Sequence, residues 1–488
     1  MRGDENNSCC GSWELRVIVL LVAILAWSPT SHAQGTLPPP QAPASGENGE
    51  DTEAPYVFHR GIIPIAPSED STASPKNSDG EYATAESDRR KQTKTEEQIA
   101  RHAWQYFLAS RRPATGLFDS VRGYGHATIW DIASGMAAMV AAEKLQIIPR
   151  QVFLTQMRQV LASLARMPLY NHELPNREYD IQSLSMLDAH SHASSRGSGW
   201  SAIDLGRLLI WLKIISNWYP ELADPVRKIV DGWNVTRLIK HDELHGVLLT
   251  RTTEHLRQEG RLGYEQYAAT GLRVWGHKLT KPFRYSSTAS FPLYGISLLH
   301  DTRKPAFLTS EPFFLTRIEL GAIDPQFDHL ENNIYEIQRQ RWEREGVLTM
   351  VSEDAVSVEP WFVYNSISAN GEDWVCVSVS GKQYPALKSL STKAAMAWWA
   401  IQDDSYSYRT LEAVKDLVEP SSGYYAGLFE TGATNKSRNV NTNAIVLEAI
   451  LYKQLGRHPF LEISPSGSEK ANDKTQLDTR SSHNASAN

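Results

Sequence analysis

The chain has 488 residues, with 49 Lys plus Arg against 56 Asp plus Glu, a formal charge of −7 and 41% apolar residues. These values exclude a membrane protein of many spans, a collagen-like chain and a wholly disordered one. With only 3 Cys, two of them at Cys9 and Cys10, no disulfide scaffold can be built. The acidic balance argues against a nucleic-acid binder, which needs a basic face.

In chain order, Leu15 to Trp27 (LRVIVLLVAILAW) is an apolar run too short to cross a bilayer comfortably. Arg16 stands near its start and Ser31-His32-Ala33 follows, a small-x-small cleavage pattern. Residues 1–33 are therefore expected to be a secretory signal peptide. Asp4, Glu5 and Glu14 are untypical of one, so an uncleaved anchor is the alternative. Both readings place the bulk of the chain in the periplasm or outside the cell, and only an anchor would touch a membrane. Residues 34–93 form a Pro/Ser-rich acidic linker, expected to be disordered because it has too little apolar surface to fold. The more apolar Ala54–Pro67 within it is a candidate strap against the domain. From 34 to 88 ten acids face only Arg60 and Lys76, so the acidity of the chain belongs to this stretch and the folded part is nearly neutral. Residues 94–461 are the expected domain and 462–488 a disordered tail.

Within the domain the apolar spacing predicts helices at Glu96–Ser110, Thr128–Leu145, Pro149–Arg166, Ser201–Trp218, Pro220–Trp233, Gly263–Trp275, Asp324–Arg344, Ser391–Ile401, Ser405–Val418 and Asn441–Leu455. Those starting near 128, 201, 263, 391 and 441 are apolar nearly all round, and the others are amphipathic. A helix apolar all round is buried, whereas an amphipathic one covers a core. This alternation predicts an all-α fold, an (α/α) toroid of five to six helical hairpins, with a generic bundle or solenoid as the plainer alternatives. Gly346–Ser380, rich in Val, Trp, Tyr and Ser, reads as a small inserted β-element of two or three strands. Residues 276–318 read as irregular loops.

In such a toroid the starts of the inner helices gather on one rim. That rim would collect Trp130, Asp131, Asp204, Arg207, Arg261, Tyr264, Glu265, Tyr267, Asn441 and Asn443, and nearby loops add Glu353, Trp361 and Tyr364. Aromatic faces pack on sugar C–H surfaces, while amides and carboxylates hydrogen-bond hydroxyls. Cleavage of a glycosidic bond needs two carboxyl groups flanking it. Glu259-Gly-Arg-Leu-Gly-Tyr-Glu265 supplies two acids around a Gly-rich turn, and Glu259 or Glu265 is the expected proton donor. Asp131 or Asp204 is the expected base that activates water. The competing reading makes Glu259 and Glu265 ion-pair partners of Arg261 or Arg257. It makes Asp131 and Asp204 capping residues of the S/T-x-x-D pattern. His190-Ser-His192 lies in a Ser-rich loop with no further ligand nearby, and His241-Asp-Glu-Leu-His245 departs from the H-E-x-x-H order, so no metal and no cofactor is expected. Nucleotide and Ser-hydrolase motifs are lacking. The Trp398-Trp399 pair reads as core.

Tyr124…Thr128-Ile-Trp-Asp131-Ile-Ala-Ser134, Asp204-Leu-Gly-Arg207-Leu, Glu259-Gly-Arg-Leu-Gly-Tyr-Glu-Gln-Tyr-Ala-Ala269, Val351-Ser-Glu-Asp354, Ser391-Thr-Lys-Ala-Ala395 and Asn441-Thr-Asn-Ala444 together resemble a bacterial family known as domain of unknown function thirty-one thirty-one. The resemblance covers about 96 to 457. It implies the six-hairpin toroid of glucoamylase-like glycosidases, some of which act on β-1,2-glucans, and a role on cell-envelope glycans. It assigns no catalytic residue. The expected function is an enzyme that hydrolyses a glucan-type bond, with polysaccharide or oligosaccharide as partner and envelope glycan synthesis proteins as further candidates. The alternative is a non-catalytic polysaccharide-binding accessory protein.

Overall fold

The computed structural model describes residues 62–64, 78–250, 253–378 and 380–463. The expected leader, most of the linker and the tail beyond 463 lie outside the described residues, but residues 78–93, read from their composition as disordered linker, are helical and continue into the predicted helix at 96–110. Eleven helices are described: α1 (Ser78–Ser110), α2 (Ile129–Lys144), α3 (Arg150–Arg166), α4 (Ala202–Trp218), α5 (Pro220–Asp231), α6 (Tyr264–Arg273), α7 (Glu311–Glu319), α8 (Pro325–Glu345), α9 (Thr392–Gln402), α10 (Ser405–Val414) and α11 (Val440–Gln454).

Local chemistry fixes many of the helix starts. The Thr128 hydroxyl accepts the Asp131 N–H, and Asp131 accepts the Thr128 N–H in return. Ser201 caps α4, Asp324 precedes Pro325 at the start of α8, and the Asn439 side chain accepts the Thr442 N–H at 2.7 Å. Each cap satisfies a backbone donor that the first turn leaves without an intrahelical partner. Gly346 ends α8 at φ 69, a left-handed conformation open to glycine at no steric cost.

Six helices pack in a closed circuit: α2 on α4, α4 on α6, α6 on α7, α7 on α9, α9 on α11, and α11 back on α2. Along α2, α4, α9 and α11 nearly every residue is buried, as their uniform apolarity predicts. The amphipathic helices back them, with α1 on α11 and α2, α3 on α2, α5 on α4, α8 on α7 and α10 on α9. The tightest contact joins α4 to α6. A Cβ on Gly271 would fall 2.2 Å from the carbonyl oxygen of Gly206, and one on Gly206 would fall 2.5 Å from the Ala268 Cβ. These two helices therefore meet backbone to backbone.

The stretch 276–318 departs from expectation. It holds an antiparallel hairpin, Thr288–Leu293 with Ile296–Asp301, and then the short helix α7. Glu-Pro-Phe-Phe-Leu-Thr-Arg-Ile-Glu spans too few turns for helical spacing to stand out. The fold is thus helix-rich with several small sheets. The strands expected near 346–380 are present as Glu353–Ala355, Phe362–Ala369 and Glu372–Val377, joined by Phe307–Leu308. Their register sets Glu353 opposite Tyr364. Ile62–Pro64, within the expected strap, pairs antiparallel with Val347–Thr349. A second hairpin, Glu243–Thr250 with Thr253–Gln258, runs directly into the Glu259–Gly263 turn ahead of α6.

Candidate active site

The six helices of the circuit enclose a buried polar network. Arg207 of α4 is fully buried and lies at its centre. It donates to Glu448 at 3.0 Å and to Asn441 at 3.1 Å, both on α11, and approaches Glu319 of α7 at 3.3 Å. Its guanidinium lies 4.6 Å from the ring centre of Trp130. The Trp130 indole N–H and the Ser134 hydroxyl both donate to Asn441 Oδ1, at 3.2 and 3.0 Å. The Asn441 amide in turn donates to Glu311 at 2.8 Å. Glu311 also holds Lys393 of α9 at 2.5 Å and accepts the Ser352 hydroxyl at 2.7 Å. Tyr264 of α6 donates to Glu353, and its ring meets Trp130 edge-on with centres 5.7 Å apart. Tyr267 and Trp211 donate to Glu319. Every helix of the circuit thus contributes a polar side chain to one interior.

Burial dominates the ionisation of these groups. It pushes Glu353 well above the usual carboxylate range, with Glu311 adding repulsion against the pull of Lys393. Asp354, 4.0 Å from Lys393, is pushed up to about 7 for the same reason.

Asp131 and Asp204 stand at equivalent positions of the neighbouring helices α2 and α4. Asp131 spends Oδ2 on its cap, accepting the Thr128 N–H at 2.9 Å and its hydroxyl at 2.8 Å. Asp204 spends Oδ1 on the Ser201 hydroxyl at 2.9 Å. Both are only part-buried, and each keeps its other carboxyl oxygen outside the cap. Desolvation lifts Asp131 to about 6 against the capping bonds, with further upward pressure from Glu178. Desolvation and the charge of Glu259 lift Asp204 to about 7, and Asp131 adds a smaller push in the same direction.

Glu259 and Glu265 are engaged at both oxygens. Glu259 is ion-paired with Arg177 and accepts the Ala202 N–H at 2.6 Å. Glu265 takes two bonds from Arg303, at 3.2 and 2.7 Å, and one from Gln258 at 3.1 Å. Their cations are Arg177 and Arg303, not the expected Arg257 or Arg261, because the distant segments that deliver them could not be placed from local spacing. Arg261 binds the carbonyls of Arg303, Lys304 and Pro305 and so ties the turn to that segment. Asn443 faces away from Asn441 and holds the Tyr424 backbone, accepting its N–H at 2.7 Å. Tyr364 is buried against Phe307 at 5.3 Å. Trp361 is half-buried with a left-handed φ of 69. His190 and His192 are exposed, and Trp398 and Trp399 are core. A shallow depression beside Glu265 has its charges paired internally, Arg303 with Glu265 and Asp301, and Lys281 with Glu243 at 2.9 Å.

Sequence reasoning missed Glu178, Glu311, Glu319 and Glu448. Glu178 accepts the Tyr124 and Ser191 hydroxyls at 3.1 and 3.0 Å, and its charge reaches Asp131. Glu448 had a usable signal: it is the one charge in the run Asn441 to Tyr452 of a helix otherwise buried by apolar residues.

A family model described as a protein of unknown function (DUF3131) matches residues 98–456. The chain belongs to this family. No curated protein matches the sequence. Among solved structures, this DUF3131 chain is similar to an endo-β-1,2-glucanase of Chitinophaga pinensis bound to sophorotriose and glucose, at 12% identity and a TM-score of 0.56, covering 75% of this chain and 96% of that one. It is also similar to a β-1,2-glucanase of Parabacteroides distasonis, at 10% identity and a TM-score of 0.56, over 74% of this chain and 57% of that one. A glucoamylase-like protein of Bacteroides fragilis gives 12% identity and a TM-score of 0.56, over 75% and 94% of the respective chains. At such identities the likeness is one of fold.

Proposed function

We propose that this protein is a glycoside hydrolase acting on a glucan-type polysaccharide or oligosaccharide outside the cytoplasm, within the cell envelope. The observation that carries this reading is the pair Asp131 and Asp204, two part-buried carboxyl groups on adjacent helices, each with one oxygen not used by its cap. The circuit of helices is read as the (α/α) toroid, which brings these helix starts to one rim. Helices in contact lie about 8–10 Å apart. Carboxyls at matching positions of two such helices suit the separation of about 6.5–9.5 Å that an inverting glycosidase needs to admit water.

The two environments divide the roles. Asp204, lifted to about 7 beside Glu259, is the better proton donor to the leaving oxygen. Asp131, at about 6 and held by its capping bonds, is the better base for water. Trp130 offers a ring beside Asp131, and Asn441 and Tyr264, bonded to Glu311 and Glu353, brace that ring from the interior. Glu259, Glu265 and Arg261 shape the turn rather than meet the sugar. The glucanase and glucoamylase-like folds among the relatives support a hydrolase of this class, and the secretory leader pattern supports export.

The test is to incubate the purified protein with a panel of bacterial β-glucans and separate the products by chromatography. Product release that Asp131→Asn and Asp204→Asn both abolish supports the reading. Tight binding of glucan with no product would favour the polysaccharide-binding alternative.

A further inference from the structure

The deepest part of the interior contains two carboxyl groups and one cation that the proposed chemistry leaves unused. Glu319 accepts the Trp211 indole N–H at 2.9 Å on Oε1 and the Tyr267 hydroxyl on Oε2. Glu448 accepts Arg207 on Oε1 at 3.0 Å. Its Oε2 has no hydrogen-bond donor among the described residues, and the two carboxyl groups crowd the same Arg207 nitrogen, Nη2, which lies 3.3 Å from Glu319 Oε1 and 3.0 Å from Glu448 Oε1. Two carboxylates cannot hydrogen-bond without a proton between them. Arg207 supplies one positive charge to the pair, and all three side chains are fully buried.

We propose that Glu319 and Glu448 share a single proton, so that together they present one negative charge to Arg207, which acts as a positioning residue for Trp130 and Asn441. The proton resides on Glu448 Oε2. The Glu319 oxygens are both taken by donors, whereas Glu448 needs to accept only from Arg207. A neutral Glu448 and an ionised Glu319 balance Arg207 and leave no net buried charge, which a low-dielectric interior would otherwise penalise. Both carboxyls are raised by burial, with Glu448 well above the ordinary range. Charged and titratable groups acting on Glu448 are Arg207 from α4, Glu319 and Glu311 from α7, and Tyr267 from α6 through Glu319. α2 and α9, also packed on α11, carry Asp131 and Lys393, whose partners are given above. α1 meets α11 through Glu96 and Lys453, 3.8 Å apart. The positioning role rests on the hydrolase reading; the shared proton does not.

The sign of the pH dependence follows from linkage. A carboxyl whose proton is held more tightly in the folded than in the unfolded state gives stability that is full at low pH and falls as pH rises through the range between the two values. Gln at 448 keeps the acceptor toward Arg207 and the donor toward Glu319 but has no proton to lose. Gln at 319 would turn an amide N–H₂ toward Tyr267 or Trp211, both donors.

The experiment is thermal unfolding of the full chain, wild type, Glu448→Gln and Glu319→Gln, from about pH 5 to about pH 8.5. Glu448→Gln should stay within about 2 °C of wild type at the acid end and melt higher than wild type at the alkaline end. Glu319→Gln should melt several degrees lower throughout. Infrared difference spectra of wild type minus Glu448→Gln at neutral pH should contain a protonated-carboxyl C=O stretch, a readout that does not depend on heating. Where glucan turnover is measurable, Glu319→Gln should raise KM more than it lowers kcat, since Trp130 and Asn441 lose their support. An offset between Glu448→Gln and wild type that does not change with pH, or difference spectra without that band, would overturn the shared proton. Melting and infrared behaviour as expected, with no glucan bound or cleaved by wild type, would leave the proton in place and remove the hydrolase reading.

Discussion

Replacing Asp204 by Asn sets stability against function at one position. The group sits in the first turn of α4 with one oxygen on Ser201 and is pushed from 3.8 to about 7 by burial and by Glu259. For a fully enclosed carboxyl that difference corresponds to about 4 kcal/mol between its ionised and neutral forms. Asp204 is part-buried, so solvent screening reduces the stake to about 1–2 kcal/mol. Because the folded value is raised, the wild-type protein loses this stability as pH climbs from about 4 to about 7 and recovers none above. Asn keeps the acceptor for the Ser201 hydroxyl and carries no charge. The variant should therefore match wild type near pH 4 and exceed it by about 1–2 kcal/mol near pH 8, read from urea unfolding at both values. In the same protein, glucan hydrolysis should fall about 10²–10⁴-fold, because the proton donor is gone. Loss of stability to the same extent at both pH values, with hydrolysis intact, would make Asp204 a helix cap and nothing more, and the division of roles between the two aspartates would fail.

Hydrolysis should be confined to a narrow bell. The rate should fall below about pH 6 as Asp131 takes up a proton, and above about pH 7 as Asp204 loses one, in a profile of kcat/KM against pH. Glu259→Gln leaves the buried Arg177 without its carboxylate and should cost about 3 kcal/mol in denaturant unfolding, while the folded fraction still cleaves glucan. Complete loss of turnover in a stable Glu259→Gln protein would return the proton donor to that turn. Gly271→Ala drives a methyl group into the Gly206 carbonyl and should destabilise by about 1–3 kcal/mol despite the better helix propensity of Ala, as measured by calorimetry. Trp130→Ala should weaken oligosaccharide binding about tenfold or more in calorimetric titration.

Nine of the eleven described helices, and the Glu96–Ser110 part of α1, were legible in the sequence because their apolar spacing, Pro starts and caps are local properties. Thr128 with Asp131, and Ser201 with Asp204, announce both a helix start and a carboxyl in its first turn. The contrast between α2, α4, α9 and α11, apolar all round, and the charged helices that back them already separates an inner from an outer layer. Only the tertiary structure decided which acids are committed elsewhere. Glu259 and Glu265 were the most conspicuous pair in the sequence, yet Arg177 and Arg303 reach them from segments distant along the chain. Glu311, Glu319 and Glu448 drew no attention because one charge within an apolar run gives no periodic signal. Burial gave them their significance: taken out of water, each must find a cation, a donor or a proton, and that partner comes from whichever helix the circuit places opposite.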